Sequence, residues 1–231
     1  MIGIICAMQI EADGIIALAE NKATEDIAGM KFTTGTIYGR EIAVVVCGVG
    51  KVNAAMCAVA LIEKYNPEAV INSGVAGALS PLVSIGDIVV GTKAVEHDMN
   101  ITALGDKQGE VSFPDKKIMY FECDKNIVNV LLNVCKNFPC TNVEQGTIAS
   151  GDMFVSERKQ RVKINKEFDA LACEMEGAAI GHVCYSYNIP YGIIRAISDD
   201  LDENKGMDFV KFCELASKKT VEAISGFIKE F

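Results

Sequence analysis

The sequence predicts a three-layer α/β/α sandwich built around a central mixed, mainly parallel sheet. Short apolar runs with the length of buried strands alternate with segments whose apolar residues recur at helical spacing. Two early apolar segments flank Tyr38-Gly39 and predict a hairpin, which makes the sheet mixed. The 231 residues are half hydrophobic, with no visible linker or repeat, so we expect a single domain spanning 1–231.

The predicted strands are short, apolar and rich in isoleucine and valine, as buried strands of parallel sheets are. They lie at 1–8, 30–37, 40–47, 69–72, 88–91, 146–150, 170–176 and 190–197. The segment 73–78 consists of small residues. Such a segment is typical either of a tight turn or of a backbone against which a flat ring or a sugar lies. The polar stretch 105–117 is expected at the surface.

The predicted helices lie between these strands. They span 11–20, 52–65, 124–137 and 177–187, and a final long helix follows a cap at Asp208. Glu11 opens the first helix, where a carboxylate complements the helix dipole. The basic residues between 158 and 166 predict one solvated helix face. His97 and Asp98 follow the strand at 88–91, and we interpret them as a structural pair.

Composition and charge exclude several classes of function. The formal charge of −9 repels the phosphates of nucleic acids, and no basic cluster with interleaved aromatics offsets it. Glu11 and Asp13 interrupt the apolar start far short of a membrane span. Nine cysteines without a secretory signal predict reduced thiols and a cytoplasmic location. With two histidines and no zinc-type spacing, no metal is expected, and acid-base chemistry falls mainly to Asp and Glu.

Carboxylates follow two predicted strands at the point where each strand ends. Asp199 and Asp200 follow one strand, and Glu174 and Glu176 end another. In open α/β sheets, ligands bind outside the carboxyl ends of the strands, so these acids are candidates for chemistry. Local turn or helix capping is the alternative interpretation. Arg195 lies within an apolar strand and requires an anionic or carbonyl partner if it is buried.

Five motifs give the chain a specific resemblance that covers essentially its full length. They are Gly3-Ile4-Ile5-Cys6-Ala7-Met8 with Glu11, Gly48-Val49-Gly50-Lys51-Val52, Ser150-Gly151-Asp152, Glu174-Met175-Glu176 and Arg195-Ala196-Ile197-Ser198-Asp199. In this order they resemble the 5′-methylthioadenosine/S-adenosylhomocysteine nucleosidases, which belong to the nucleoside phosphorylase superfamily. That family hydrolyses the N-glycosidic bond of adenine thio-nucleosides without a cofactor, and the resemblance implies a homodimer.

The resemblance also implies roles for individual residues. Glu11 would activate the attacking water, and Asp199, supported by Ser198, would protonate N7 of the leaving adenine. Glu176 would bind the ribose hydroxyls, with Met175 against the sugar and Glu174 and Arg195 beside it. Phe154 would stack on the purine and the backbone of Val155 would read its edge, while Met8, Val49 and Phe209 would line the alkylthio pocket.

Three positions depart from the family pattern. Val75 replaces a serine that many members carry in a Gly-Ser-Ala-Gly loop, and Leu104 and Asp106 stand where a neighbouring subunit usually contributes aromatics. These changes bear on the 5′ substituent and leave a futalosine-type or deoxyadenosine substrate open. Two further alternatives are a purine nucleoside phosphorylase and a nucleoside-binding protein without catalysis on the same fold. Glu11 would repel phosphate, and the retained acids favour an enzyme.

Overall fold

The centre of the fold is a ten-stranded mixed sheet. It is seen in a computed structural model that describes residues 1–139, 141–199 and 209–231, with the backbone alone at 209–211. Asp200, the predicted cap Asp208 and the side chain of Phe209 lie outside the described residues. The strands are β1 (Ile2–Cys6), β2 (Glu20–Ile27), β3 (Met30–Ile37), β4 (Arg40–Val46), β5 (Ala69–Ala78), β6 (Ile88–Glu96), β7 (Val111–Ser112), β8 (Lys117–Ile118), β9 (Phe121–Glu122), β10 (Val143–Ser150), β11 (Ala170–Glu174) and β12 (Tyr191–Asp199).

Six α-helices accompany these strands in the described part of the chain. They are α1 (Gln9–Leu18), α2 (Lys51–Tyr65), α3 (Lys125–Cys135), α4 (Arg158–Phe168), α5 (Gly177–Tyr187) and α6 (Phe209–Glu230). Helices α1 and α3 pack against α6, while α2 packs against α5. Both groups contact the sheet, so the predicted three-layer α/β/α sandwich with its mixed sheet is confirmed. None of the helices described is both long and apolar enough to cross a membrane.

The sheet is parallel at its centre and curls back on itself at one side. Strands β4, β1, β5 and β12 are parallel neighbours, and β6, β10 and β11 form a second parallel group. The groups meet antiparallel twice, where β12 pairs with β6 and where β11 pairs with the end of β5. The second pairing closes a ring of five strands. It brings the end of β11 beside β5 and β12, although β11 runs in the opposite direction.

Several local predictions differ from the structure for identifiable reasons. Helix α1 begins at Gln9, two residues before the predicted start, because the Glu11 carboxylate accepts the backbone N–H of Met8 and closes the first turn at 2.9 Å. Strand β2 was not predicted, since its residues are mostly exposed at the sheet edge and show no apolar alternation. The segment 73–78 is neither turn nor loop: β5 continues through it, paired with β12.

Candidate active site

A single pocket collects most of the predicted site residues. Its wall is built from the ends of β1, β5, β11 and β12 and from the loop that follows β10. Among the predicted site residues whose side chains are described, all but Arg195 line it; these are Met8, Glu11, Val49, Val75, Phe154, Val155, Glu174, Met175, Glu176, Ser198 and Asp199. Arg195 lies behind the wall, and the side chain of Phe209 is not described.

Glu11 is a buried carboxylate held by backbone N–H groups. It is 1% exposed, and its Oε2 accepts hydrogen bonds from the amides of Ala7 and Met8, both at 2.9 Å. Its Oε1 accepts the Val75 amide at 3.0 Å. Burial raises the pKa of Glu11, while the charge of Arg195 and these backbone bonds oppose the rise. A carboxylate with a raised pKa and a fixed orientation is suited to act as a general base.

Arg195 is the buried cation of the site. Its Nη2 donates to Asn72 Oδ1 and to Glu174 Oε2, and the residue is 1% exposed. Burial by itself lowers the pKa of Arg195, but Glu174, Glu176 and Glu11 outweigh it and the pKa is raised. Arg195 therefore stays charged, and the carboxylates that face the pocket are stabilised from behind.

Gly74, on β5, makes room for this arrangement. A Cβ at this position would lie 2.5 Å from Glu11 Oε1 and would also collide with the Arg195 guanidinium. The glycine thus lets two side chains cross the strand. The sequence alone allowed two interpretations of the small residues at 73–78, a tight turn or a surface for a ligand. The structure gives a third reason for the glycine at position 74: it makes room for side chains of the protein itself.

Glu174 is engaged on both carboxylate oxygens by groups of the protein. Besides the Arg195 ion pair, Oε2 accepts the amides of Glu176 at 3.0 Å and Gly177 at 2.8 Å, at the start of α5. The Ser150 hydroxyl donates to Oε1 and in turn accepts the Ala178 amide at 2.7 Å. The carboxylate is therefore placed at the positive end of the α5 dipole, where it is stabilised as an anion.

Glu176 has the environment of a proton-exchanging or hydroxyl-binding group. It is 4% exposed, and its Oε1 accepts the Gly50 amide at 2.9 Å. Burial, followed by the negative charge of Glu174, raises its pKa to about 7, against the opposing effects of Arg195 and the Gly50 N–H.

Asp199 ends β12 with both oxygens occupied. The Ser198 hydroxyl donates to Oδ1 at 2.9 Å, and Arg161 Nη2 donates to Oδ2. Arg161 is 4% exposed and lies on the same face of α4 as Ile164 and Phe168. The prediction that the basic residues of 158–166 all belong to a solvated face is wrong at this position. The spacing of 161, 164 and 168 was the sequence signal for a buried face, but it was masked by the surrounding lysines.

The glycine loop before α2 binds carboxylates of the protein itself. Gly50 N–H donates to Glu176, and Lys51 N–H donates to Asp152 Oδ1 at 2.8 Å. Lys51 Nζ binds Asp98 at 2.6 Å and Glu96 at 3.1 Å. Asp98 also accepts the Asp152 amide at 2.8 Å. The Gly50 and Lys51 amides and the Lys51 ammonium are therefore already bound to carboxylates of the protein and are not available to bind a phosphate.

The outer part of the pocket is apolar and open. Val49, Met153 and Phe154 are 51%, 48% and 58% exposed. Across the residues that the structure describes, no group of three or more His, Cys, Asp or Glu is arranged to hold a metal ion. The site thus offers carboxylates on one wall and apolar side chains on another, which suits a ligand with a polar sugar and a flat or apolar remainder.

The contacts of three groups of this site were not predicted from the sequence. Asn72 and Ser150 are buried and hold Arg195 and Glu174, and Arg161 holds Asp199. The two polar residues lie inside apolar strands, and a buried polar residue must find a partner. That signal marks them as structurally important without showing which partner they meet.

Comparison with known proteins places this geometry in a family. Residues 1–229 match the profile of the phosphorylase superfamily. A 5′-methylthioadenosine/S-adenosylhomocysteine nucleosidase from Exiguobacterium is 36% identical over 99% of this chain and 97% of its own length. The structure of such a nucleosidase from Neisseria meningitidis, in complex with methylthio-immucillin-A, is 31% identical with a TM-score of 0.93, and the match covers 100% of this chain and 99% of that one. The futalosine hydrolase of Helicobacter pylori is 29% identical with a TM-score of 0.91, over 100% and 97% of the two chains.

Proposed function

The chain belongs to the 5′-methylthioadenosine/S-adenosylhomocysteine nucleosidase family of the phosphorylase superfamily, and we propose that it hydrolyses the N-glycosidic bond of both nucleosides. The products are adenine and the corresponding thio-ribose. The observation that carries the proposal is the convergence of Glu11, Glu176 and Asp199 on one pocket in a relative of these enzymes. Each acid has surroundings suited to a different part of the reaction.

We assign activation of the attacking water to Glu11. Its three backbone bonds fix the carboxylate plane, and its raised pKa brings its basicity closer to neutral pH. The water oxygen forms a bond to C1′ of the ribose while Glu11 accepts the proton that it releases.

We assign protonation of the leaving group to Asp199. As the bond between C1′ and N9 breaks, the electron pair moves onto the adenine ring, and a proton delivered to N7 neutralises it. The Ser198 hydroxyl holds one oxygen of Asp199 for this purpose. A positioned general acid typically contributes about 10²- to 10⁴-fold in rate.

The remaining predicted residues are assigned to binding. Glu176 accepts hydrogen bonds from the ribose hydroxyls, because one carboxylate can serve two adjacent donors, and Met175 lies against the sugar. Phe154 stacks on the purine and the Val155 backbone meets its edge. Met8 and Val49 line the side of the pocket assigned to the alkylthio group; the resemblance implies the same role for Phe209, whose side chain lies outside the described residues.

The charges of the site favour water over phosphate as the nucleophile. The described part of the pocket wall carries the carboxylates of Glu11, Glu174, Glu176 and Asp199 and no Lys or Arg. Lys51 is paired with Glu96 and Asp98, and the first amides of α2 are bound to Glu176 and Asp152. A phosphate ion would meet repulsion here without a compensating cation.

We further propose a homodimer formed through the exposed apolar face of α2. Val52, Met56 and Val59 follow one another at helical spacing with 71%, 47% and 37% exposure. Leu104, at a position where the family resemblance implies a subunit contact, is 82% exposed. Contiguous exposed apolar surface of this kind is typical of protein interfaces. Light scattering should give twice the chain mass for the wild type, and Met56→Glu should shift it towards the monomer. A monomeric wild type would contradict this proposal.

The cytoplasmic location expected from the cysteine content is also part of the proposal. The eight cysteines in the described residues are free and buried, as thiols kept in a reducing compartment are.

The decisive experiment is adenine release from 5′-methylthioadenosine with and without phosphate. Hydrolysis predicts phosphate-independent release with free methylthioribose as the second product. A sugar 1-phosphate formed only when phosphate is added would identify a phosphorylase instead. S-adenosylhomocysteine, a futalosine-type nucleoside and deoxyadenosine should be compared under the same conditions. The futalosine-type compound is included because the similar Helicobacter pylori fold carries that activity and because Val75, Leu104 and Asp106 depart from the nucleosidase pattern.

A further inference from the structure

We propose that Arg161 is a positioning residue: it fixes the carboxyl group of Asp199 and connects it to the backbone of Val155, which is assigned to the purine edge. This inference rests on the proposed function, because it assigns Arg161 a part in the departure of adenine. Arg161 lies outside the five motifs that relate the chain to its family, on a helix whose other basic residues are mostly solvent-exposed.

The first support is the set of groups that Arg161 connects. Its Nη2 donates to Asp199 Oδ2, its Nε donates to the Val155 carbonyl at 3.0 Å, and its Nη1 lies 3.4 Å from the Ala78 carbonyl. One guanidinium therefore joins the acid at the end of β12, the loop that follows β10 and the end of β5. The planar, multiply donating group of arginine is suited to such a three-way contact, and a lysine ammonium is not.

The second support is the orientation that these bonds impose on Asp199. Ser198 binds Oδ1 and Arg161 binds Oδ2, so the carboxyl group is held at both oxygens and cannot turn freely about its Cβ–Cγ bond. Gly77 leaves space for it, since a Cβ there would lie 2.9 Å from Asp199 Oδ2. Proton transfer to N7 requires a defined direction of approach, and Arg161 supplies half of the constraint that defines it.

The third support is burial. The side chain of Arg161 is 5% exposed and that of Asp199 is 25% exposed. A buried guanidinium is costly unless it is paired, and Arg161 is paired with an acid that lines the pocket. Ile164 and Phe168, on the same face of α4, pack in a small apolar cluster with Val155 and Cys173, which keeps the helix and its arginine in place.

The test separates adenine departure from the rest of the reaction. Arg161→Met removes the charge and the hydrogen bonds but keeps an extended apolar side chain. Arg161→Lys keeps the charge but lacks the planar group with several donors. Lys163→Met removes an exposed charge from the same helix and serves as the control. Each variant is assayed with 5′-methylthioadenosine and with the corresponding 5′-methylthioriboside of p-nitrophenol. The nitrophenolate departs without protonation, so it does not depend on an aligned acid.

A positioning role predicts a selective loss. We expect kcat for 5′-methylthioadenosine to fall about 10- to 100-fold in Arg161→Met, with Arg161→Lys between it and the wild type. Turnover of the nitrophenyl riboside and all rates of Lys163→Met should stay within about twofold of the wild type. Equal losses on both substrates would indicate a merely structural role and overturn the proposal, as would an unchanged or increased kcat for the adenine nucleoside.

A second measurement does not depend on turnover and distinguishes this inference from the proposed function. Adenine binding is measured by calorimetry for the wild type, Arg161→Met, Asp199→Asn and the double variant. If Arg161 acts through Asp199, Arg161→Met binds adenine about tenfold more weakly, and the double variant binds no more weakly than Asp199→Asn. Additive losses, or no loss in Arg161→Met, would overturn the assignment. A wild type that cleaves neither substrate would refute the proposed function, while this binding cycle would still decide the role of Arg161.

Discussion

Glu176→Gln should make the protein more stable at pH 8 while it damages the site. The pKa of Glu176 is raised from 4.5 to about 7 by burial and by Glu174, so the folded state holds a proton that the unfolded state releases between these values. Stability therefore falls as the pH rises through this window, and the full loss is present above pH 7. A rise of this size corresponds to about 3 kcal/mol. Glutamine keeps an oxygen for the Gly50 N–H but has no charge to bury.

Urea unfolding at fixed protein concentration between pH 5 and pH 8 measures this effect. The free energy of unfolding of Glu176→Gln should match the wild type near pH 5 and exceed it by about 3 kcal/mol at pH 8, with an unchanged slope against urea. Glu41→Gln, which removes an exposed carboxylate, is the control and should show no such trend. A difference that does not depend on pH, or a variant less stable at pH 8, would refute the reasoning. In the same variant, KM for 5′-methylthioadenosine should rise, because the ribose hydroxyls lose an anionic acceptor.

Three further predictions concern the proposed general acid Asp199, the close contacts at Gly74 and the helix cap at Asp124. Asp199→Asn should lower adenine release about 10²- to 10⁴-fold in a steady-state assay and should also lower stability, because the buried Arg161 loses its anionic partner; unchanged turnover would remove Asp199 as the acid. Gly74→Ala should destabilise the fold by about 1–3 kcal/mol in urea and lower kcat, because its Cβ meets Glu11 and Arg195; wild-type stability would show that these side chains can shift freely. Asp124→Ala should cost about 1 kcal/mol of stability, since its side chain accepts two amides at the start of α3, while kcat stays unchanged; lost activity would contradict this purely local role.

Much of the fold could be predicted because buried strands and tight turns leave recognisable patterns in the sequence. Strand β1 and strand β12 are buried along nearly their whole length and appear in the sequence as apolar runs, and the hairpin of β3 and β4 is marked by Tyr38-Gly39. Strand β2 leaves no such signal, because its stability depends on hydrogen bonds to β3 at an exposed edge. The length of β5 was underestimated for another reason. Its small residues resemble a turn in the sequence, whereas in the structure Gly74 makes space for the side chains of Glu11 and Arg195, which only the tertiary structure reveals.

The sequence predicted most of the residues that line the pocket, but not the contacts between their side chains. The sequence placed acids at the ends of two strands but did not show how these strands pair: β11 runs antiparallel to β5 where the two meet. Glu174 and Asp199 nevertheless reach one pocket, because this pairing curls the sheet into a ring. Long-range closure of this kind depends on residues far apart in sequence, so no local pattern encodes it. The pairing of Arg161 with Asp199 spans 38 residues and was hidden for the same reason.

The placement of the two arginines explains how one pocket can hold four acidic side chains, one of which we propose as the proton donor. Arg195 and Arg161 each bind a carboxylate of the wall, but neither belongs to the described pocket lining. They therefore reduce the cost of burying the acids without presenting positive charge to the ligand. A ribosyl group that becomes cationic as the N-glycosidic bond breaks would meet an environment preorganised for positive charge. In the proposed mechanism the same field would repel phosphate, so the arrangement that would stabilise the transition state would also favour water as the nucleophile.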